Sequence, residues 1–335
     1  MKTIQDRKII AGLNGFGRFG LHFLKYWLDR FDNANFLISY INDDYLSIEK
    51  ALEIIQTDQA VWFNDYQVSL NGNNLIFVTP SGKELVIEYT TTEKRDIPWR
   101  GLPEIVLECS GKYTQNRNCC EYYVTGNTKL VIISATSQTA DKTIVYGFNE
   151  QEFSKELSII SYGSCTVNAY VPFGNFIHNT FGVVDSDVNV IHNIQIYKLP
   201  EFNTLKRQAC TLEKSAVRLL PFLNEQNFIV NYTIVPYGGV SIISFRFKLK
   251  NASSQDAIVS QLEHSCSEGI LKGLYSLVET DTGPEVHNCT RFSCVFIKDA
   301  IRLVGDNLYL CAYFDNENSA NRYFDLIQYI SQLYL

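Results

Sequence analysis

Asn14-Gly-Phe-Gly-Arg-Phe-Gly20 lies between a short apolar run, Lys8-Ile-Ile-Ala-Gly-Leu13, and a stretch whose apolar residues Phe19, Leu21, Phe23, Leu24, Trp27 and Leu28 fall at helical spacing. Those periods predict strand, glycine turn and helix. Phe36-Leu-Ile-Ser-Tyr-Ile41 is the next strand and ends at Asn42-Asp43, which completes a βαβ unit. Glycines at positions 15, 17 and 20 permit a tight turn and close approach of a pyrophosphate, and the helix N-terminus stabilises phosphate charge. Asp43, twenty-three residues past Gly20, is placed to accept hydrogen bonds from a ribose 2′-hydroxyl. The stretch Gly15, Phe16, Gly17, Arg18, Phe19, Gly20 therefore reads as a dinucleotide loop, against the plainer reading of a glycine turn kept for packing. A carboxylate at that strand end repels a 2′-phosphate, so NAD is favoured over NADP, and Asp44 beside it strengthens the preference.

Outward from this unit, Asn64 to Tyr89 changes texture, with Asn71-Gly72 and Ser81-Gly82 turns between alternating runs that read as inserted hairpins. Parallel-sheet logic resumes with Glu104-Ile-Val-Leu-Glu108, Lys129-Leu-Val-Ile-Ile-Ser134 and Ser158-Ile-Ile-Ser161. From Val183 the pattern shifts again. Ile243, Phe245, Phe247 and Leu249 alternate with Ser244, Arg246 and Lys248, as in an antiparallel strand with one wet face. Residues 316–335 end the chain with a helical apolar period at Phe324, Leu326, Ile327, Ile330 and Leu333. The expected fold is α/β: a Rossmann-type doubly wound parallel sheet plus an α+β catalytic domain with a mostly antiparallel sheet. Residues 1–163 and 316–335 are assigned to the first domain and 164–315 to the second.

A chain of 335 residues exceeds the usual span of one hydrophobic core, which agrees with two domains. The balance of 29 basic and 36 acidic residues gives a net charge of −7, with no run of basic residues, so neither nucleic acid nor an anionic membrane is an expected partner. No stretch of eighteen apolar residues and no signal-like N-terminus occurs, and the nine cysteines lack paired spacing. A cytoplasmic protein is expected.

Ile160-Ser-Tyr-Gly-Ser-Cys-Thr-Val-Asn168 places Cys165 after a strand-like run and at the start of a helix-like one, with His192 twenty-seven residues on. Unpaired N–H groups and the helix dipole favour a thiolate there, and an imidazole adds a base, so a nucleophile with lowered pKa is expected. A buried small hydrophobe is the bland alternative. His178 reads as a surface histidine, and Cys119-Cys120 as groove filling on a helix. His287 with Cys289 and Cys294 lacks the paired arms of a zinc site, so no metal is expected. Ser81-Gly-Lys83 reads as a hairpin turn rather than a phosphate loop.

These residues resemble the glyceraldehyde-3-phosphate dehydrogenase family along the whole chain. Asn14 to Gly20 is similar to its cofactor loop, Ile41-Asn-Asp43 to its ribose-binding strand end, and Ser164-Cys-Thr166 with Asn168 and Pro172 to its nucleophile segment. Val235-Pro-Tyr-Gly-Gly-Val-Ser-Ile242 and Asp315-Asn-Glu317 with Asn321-Arg322 continue the likeness in order. The resemblance implies that Cys165 attacks an aldehyde, that His192 takes the hydroxyl proton as hydride leaves for the nicotinamide, and that a thioester is then released to phosphate or another nucleophile. It further implies Ser134 and Asn316 near the nicotinamide, Arg95 near the adenine, Ser164 and Thr166 around the substrate, and a homo-oligomer. One departure stands out: Ile234 aligns with the family's arginine near the substrate phosphate. The family's Thr-Gly pair appears as Cys210-Thr211, and the segment between His192 and Pro221 is shorter. Arg207, with Lys206 and Lys198, remains as a substitute clamp. The expected function is an NAD-dependent aldehyde oxidoreductase with an altered phosphate site. A conventional phosphorylating enzyme and a non-catalytic NAD-binding protein are the alternatives.

Overall fold

The structure, a computed structural model, describes residues 7–93, 96–194, 206–237 and 239–335. It divides into two compact units, one of Met1–Ile144, Asn149–Gly163 and Tyr323–Leu335, the other of Val145–Phe148 and Ser164–Arg322.

In the first unit β1 (Ile9–Asn14), α1 (Arg18–Asp29) and β2 (Phe36–Asn42) form the βαβ unit, followed by α2 (Ile48–Thr57) and the meander β3 (Gln67–Asn71), β4 (Asn74–Val78) and β5 (Glu84–Thr90). Next come β6 (Ile105–Glu108), α3 (Arg117–Glu121), β7 (Leu130–Ile133), β8 (Lys142–Thr143) and β9 (Ile159–Ser161). Among the described residues these make a nine-stranded sheet in the order β3-β4-β5-β2-β1-β6-β7-β9-β8, antiparallel only within the meander. β6 and β7 are buried on both faces, as parallel strands under helices must be, whereas β3 alternates with solvent. β1 has β2 on one side and β6 on the other, so a crevice opens beyond its carboxyl end, where ligands of wound sheets bind. From Tyr323 onward the C-terminal helix also packs in this unit: Tyr323 meets Phe19, Phe23 and Tyr162 edge-on and donates to the Ile132 carbonyl at 2.5 Å.

The second unit starts with α4 (Cys165–Phe181) and β10 (Val183–Asn193), then α5 (Thr211–Leu219), β11 (Phe228–Val235), β12 (Ser241–Leu249), α6 (Gln255–Ser267), β13 (Tyr275–Val278), β14 (Cys294–Ile297), β15 (Arg302–Val304) and β16 (Asn307–Phe314). Its sheet runs β11-β10-β12-β16-β14-β13 with β15 on β16, mostly antiparallel. The core is aromatic: Phe173 of α4 contacts Phe245, Phe247, Tyr275 and Phe296. Pro172 inside α4 has no N–H for the carbonyl of Asn168, and the Tyr275 hydroxyl donates to that oxygen at 2.8 Å instead. The broken bond is thus repaired by the sheet, and α4 keeps its course from Cys165 into the core.

The last helix, α7 (Ala320–Tyr334), starts later than residue 316. Asp315 Oδ2 accepts from Glu317 N at 3.2 Å, and Ser319 Oγ donates to the Asn316 carbonyl at 2.6 Å, which holds the preceding residues in a turn.

Candidate active site

The crevice of the first unit is built on backbone. Gly15 has φ +97° and donates its N–H to Asn42 O at 2.8 Å, and a Cβ there would lie 2.3 Å from Ser110 N. A Cβ on Gly20 would lie 2.4 Å from the Gly15 carbonyl oxygen, so this glycine is needed for helix and loop to touch. At Gly17, by contrast, a Cβ would meet nothing within 4 Å. Gly17 is also the N-cap of α1, with no side-chain cap and no acid in the first turn. An uncapped helix N-terminus facing open space fits an anionic diphosphate. Phe16 is buried edge-on to Tyr89, and Phe19 lies in the cluster with Tyr162 and Tyr323. Arg18 turns back to Asp58 and to His22 Nε2. These three side chains pack the loop and leave its backbone to the ligand.

Asp43 Oδ2 accepts from Phe16 N at 2.7 Å, and its Oδ1 from Tyr45 N and Leu46 N at 3.0 Å each. A carboxylate offers about four lone-pair sites, so capacity remains for a ribose hydroxyl. Behind it a buried polar chain crosses the strand ends: Asn14 Nδ2 donates to Glu108 Oε2 at 2.9 Å, Asn42 Nδ2 to Asn14 Oδ1 at 2.9 Å, and Thr90 Oγ1 to Asn42 Oδ1 at 2.8 Å. Ser134 N is tied to the Glu108 carbonyl at 3.0 Å, in the same unit. Arg95 lies outside the described residues, and Asn316 stands in the second unit's turn before α7.

In the second unit Ser164 caps α4 by accepting from Val167 N at 3.3 Å, which makes Cys165 the first helical residue. Penultimate in β10, His192 brings Nε2 to 3.5 Å from Cys165 Sγ. Its Nδ1 sits 2.7 Å from the carbonyl of Asn193, an acceptor only, which assigns the proton to Nδ1 and leaves Nε2 as the base facing sulfur. The ring rests against Tyr232 and, edge-on, Phe314. Asn193 is fixed in turn: its N–H donates to Ser241 Oγ at 3.0 Å, its Oδ1 accepts from that hydroxyl at 2.8 Å, and its Nδ2 donates to the Gly239 carbonyl.

The expected lowering of the thiol pKa is corrected here. Burial pushes the Cys165 thiol up, and neighbouring Cys210, Asp315 and Glu317 push the same way; the Thr166 N–H opposes them and loses. Burial also lowers His192 from its ordinary value, against the Asn193 carbonyl and Glu317. Both shifts favour the uncharged forms, a thiol beside a neutral imidazole, because desolvation of a charged sulfur outweighs the helix terminus. Burial and Glu317 push the Asp315 carboxyl up in the same way, toward its uncharged form.

A set of hydroxyls gathers at the starts of α4 and α5. Ser164 Oγ is 3.1 Å from Thr166 Oγ1, Thr211 Oγ1 donates to Ser164 Oγ at 3.3 Å, and Thr166 Oγ1 lies 3.8 Å from Cys210 Sγ. Among the described residues no cluster of three potential metal ligands occurs, and no helix is long and apolar enough to cross a membrane.

No family model matches the chain. Curated relatives do, over nearly full length: the cytosolic glyceraldehyde-3-phosphate dehydrogenase of Pisum sativum is 28% identical over 345 residues, covering 97% of this chain and 98% of its own. The glyceraldehyde-3-phosphate dehydrogenase of Geobacillus stearothermophilus is 26% identical over 337 residues, covering 96% and 98%. The chain is thus similar over nearly its whole length to glyceraldehyde-3-phosphate dehydrogenases of plant and bacterial origin. Against that family's pattern, Ile234 is a buried apolar residue directly in register with His192 on the neighbouring strand. Arg207, the expected substitute clamp, has protein partners in this structure. Its guanidinium donates to Glu213 at 3.2 Å and to the Val230 carbonyl at 2.8 Å. Lys206 is exposed and Lys198 lies outside the described residues. The sequence assigns no role to Asn193, Ser241 or Asp315, although Ser241 and Asp315 lie in motifs quoted above and Asn193 directly follows the histidine whose tautomer it sets.

Proposed function

We propose that this chain is an NAD-dependent aldehyde dehydrogenase of the glyceraldehyde-3-phosphate dehydrogenase type, working through a thioester on Cys165 and taking an aldehyde without the usual phosphate clamp. The observation that carries it is the 3.5 Å approach of Sγ to an imidazole nitrogen left unprotonated by its own hydrogen bond. As Sγ bonds to the carbonyl carbon, Nε2 accepts the thiol proton and returns it to the new alkoxide, giving a neutral hemithioacetal. NAD, held by the Gly15–Gly20 backbone and Asp43, with Ser134, Asn316 and Arg95 assigned around it, supplies the hydride acceptor. Nε2 holds the hydroxyl proton released in the oxidation, and Glu317 favours the imidazolium so formed. Replacing Cys165 by Ser is expected to abolish NADH formation across a panel of phosphorylated and unphosphorylated aldehydes while NAD still binds. Full turnover would overturn the assignment. The reading includes a homo-oligomer in the cytoplasm, and light scattering at several concentrations tests the first part.

A second reading, the conventional phosphorylating reaction, is favoured by the Ser164, Thr166 and Thr211 hydroxyls gathered at the starts of α4 and α5. Such a cluster suits an incoming phosphate as acyl acceptor. Steady-state rates that require inorganic phosphate would support it.

A further inference from the structure

We propose that Asp44 determines cofactor choice by masking a latent phosphate ligand, Lys112, an inference that rests on the dinucleotide reading above. β2, β1 and β6 are adjacent in that order, so the loops after β2 and β6 flank the glycine loop after β1. Across this gap Lys112 Nζ lies 2.5 Å from Asp44 Oδ2 and 4.1 Å from the centre of the Tyr45 ring. The lysine's own loop is pinned, with its N–H on Ser110 Oγ at 3.1 Å and Ser110 N on Glu108 Oε1 at 2.9 Å. Asp44 shares a small recess with Asn14, Gly15, Asn42, Ser110 and Tyr113, one residue beyond the carboxylate that serves the ribose. A 2′-phosphate arriving here would bring close to two negative charges toward Asp43 and Asp44. The nearby ammonium that could neutralise it is already spent on Asp44. Asp44 therefore acts twice, as a repelling charge and as the group that holds Lys112 away from any phosphate.

Removing Asp44 should release the lysine rather than merely delete a repulsion, and the two effects separate in a double variant. Dissociation constants of NAD and NADP would be measured by calorimetry at low salt for wild type, Asp44→Ala, Lys112→Gln and the double variant. Asp44→Ala is expected to tighten NADP by about tenfold to a hundredfold, the range of one charge-assisted contact, with NAD changed by less than about threefold and the gain shrinking as salt rises. Lys112→Gln alone should leave NADP unchanged, and the double variant should lose most of the gain. An equal gain in single and double variants would overturn the masking role. A wild type that binds NAD beside an Asp44→Ala variant with no gain would overturn the inference but not the cofactor reading; absence of NAD binding to the wild type would overturn both.

Discussion

The crevice and the thiol pocket handle buried polar groups in opposite ways. In the crevice, Glu108 is almost fully buried, yet it receives Asn14 Nδ2, Ser110 N and Ser110 Oγ, and the chain of donors continues through Asn42 to Thr90. Around the thiol, Asp315 is also buried, but only its Oδ2 accepts, from Glu317 N, while its Oδ1 has no hydrogen-bond partner among the described residues, and its pKa rises with those of Cys165 and Cys210. A group that receives several donors is held rigidly in the sheet; one with fewer donors is pushed toward its uncharged form by desolvation. The first arrangement suits a fixed ligand frame. The second suits concerted general-base catalysis, in which Nε2 takes the thiol proton only as Sγ bonds to carbon, so that no separate ion pair has to be held in the buried site.

The largest expected effect breaks the second arrangement. His192→Asn removes the base while keeping a polar side chain of similar reach, and general-base loss typically costs about 10²- to 10⁴-fold in kcat/KM. Residual activity should move to alkaline pH, because bulk base must then ionise a thiol that burial holds above its ordinary range. In the unmutated protein the acid limb of kcat/KM should lie below about 6.5, the ordinary histidine value, since burial lowers His192. An acid limb above 7 would contradict the neutral pair. Next in size, Gly15→Ala tests the rigidity of the crevice: the added Cβ meets Ser110 backbone at 2.3 Å with φ at +97°. A loss of about 2 to 4 kcal/mol in unfolding free energy is expected from the clash and strain together. Denaturant titration would show it, and a loss below 1 kcal/mol would mean that the frame yields.

How much of this was legible in the sequence follows the same division. The βαβ unit, the hairpin insertion and the strand at 243–249 have local periods, and the structure repeats them because each apolar face has a layer to pack on. The glycine loop was legible for the same reason, since positive φ and close approach leave a mark at single positions. Cys165 could be placed at a helix start from its neighbours alone. Its protonation could not, because burial comes from β10, α5 and the turn at 315–318, which are distant in sequence. Ile234 shows the limit from the other side: its apolar character was visible, while its register opposite His192 required the strands to pair. Ser241→Ala sharpens this point, because Ser241 touches neither sulfur nor imidazole. Losing its two bonds to Asn193 should lower kcat/KM by about threefold to tenfold, the effect of about 1 kcal/mol of hydrogen bonding, and leave global stability nearly unchanged. An unaltered rate would show that Asn193 holds the histidine without help.

The smallest effect concerns Asp315, where the two styles of burial can be interchanged by one atom. Its carboxyl pKa is raised above the unfolded value by burial and by Glu317, so the folded state holds a proton that the unfolded chain gives up. Its contribution is fully present below the unfolded carboxylate pKa, near 3.9, and is lost progressively as pH rises toward the folded pKa. Asp315→Asn places a neutral amide in the same volume at every pH and so removes this slope. The difference in melting temperature between variant and wild type should therefore be near its minimum at pH 4 and should grow in the variant's favour by pH 7. If the two curves ran parallel, the single Glu317 N–H on Oδ2 would have to satisfy the buried carboxyl despite its unpartnered Oδ1, and the contrast with Glu108 would disappear.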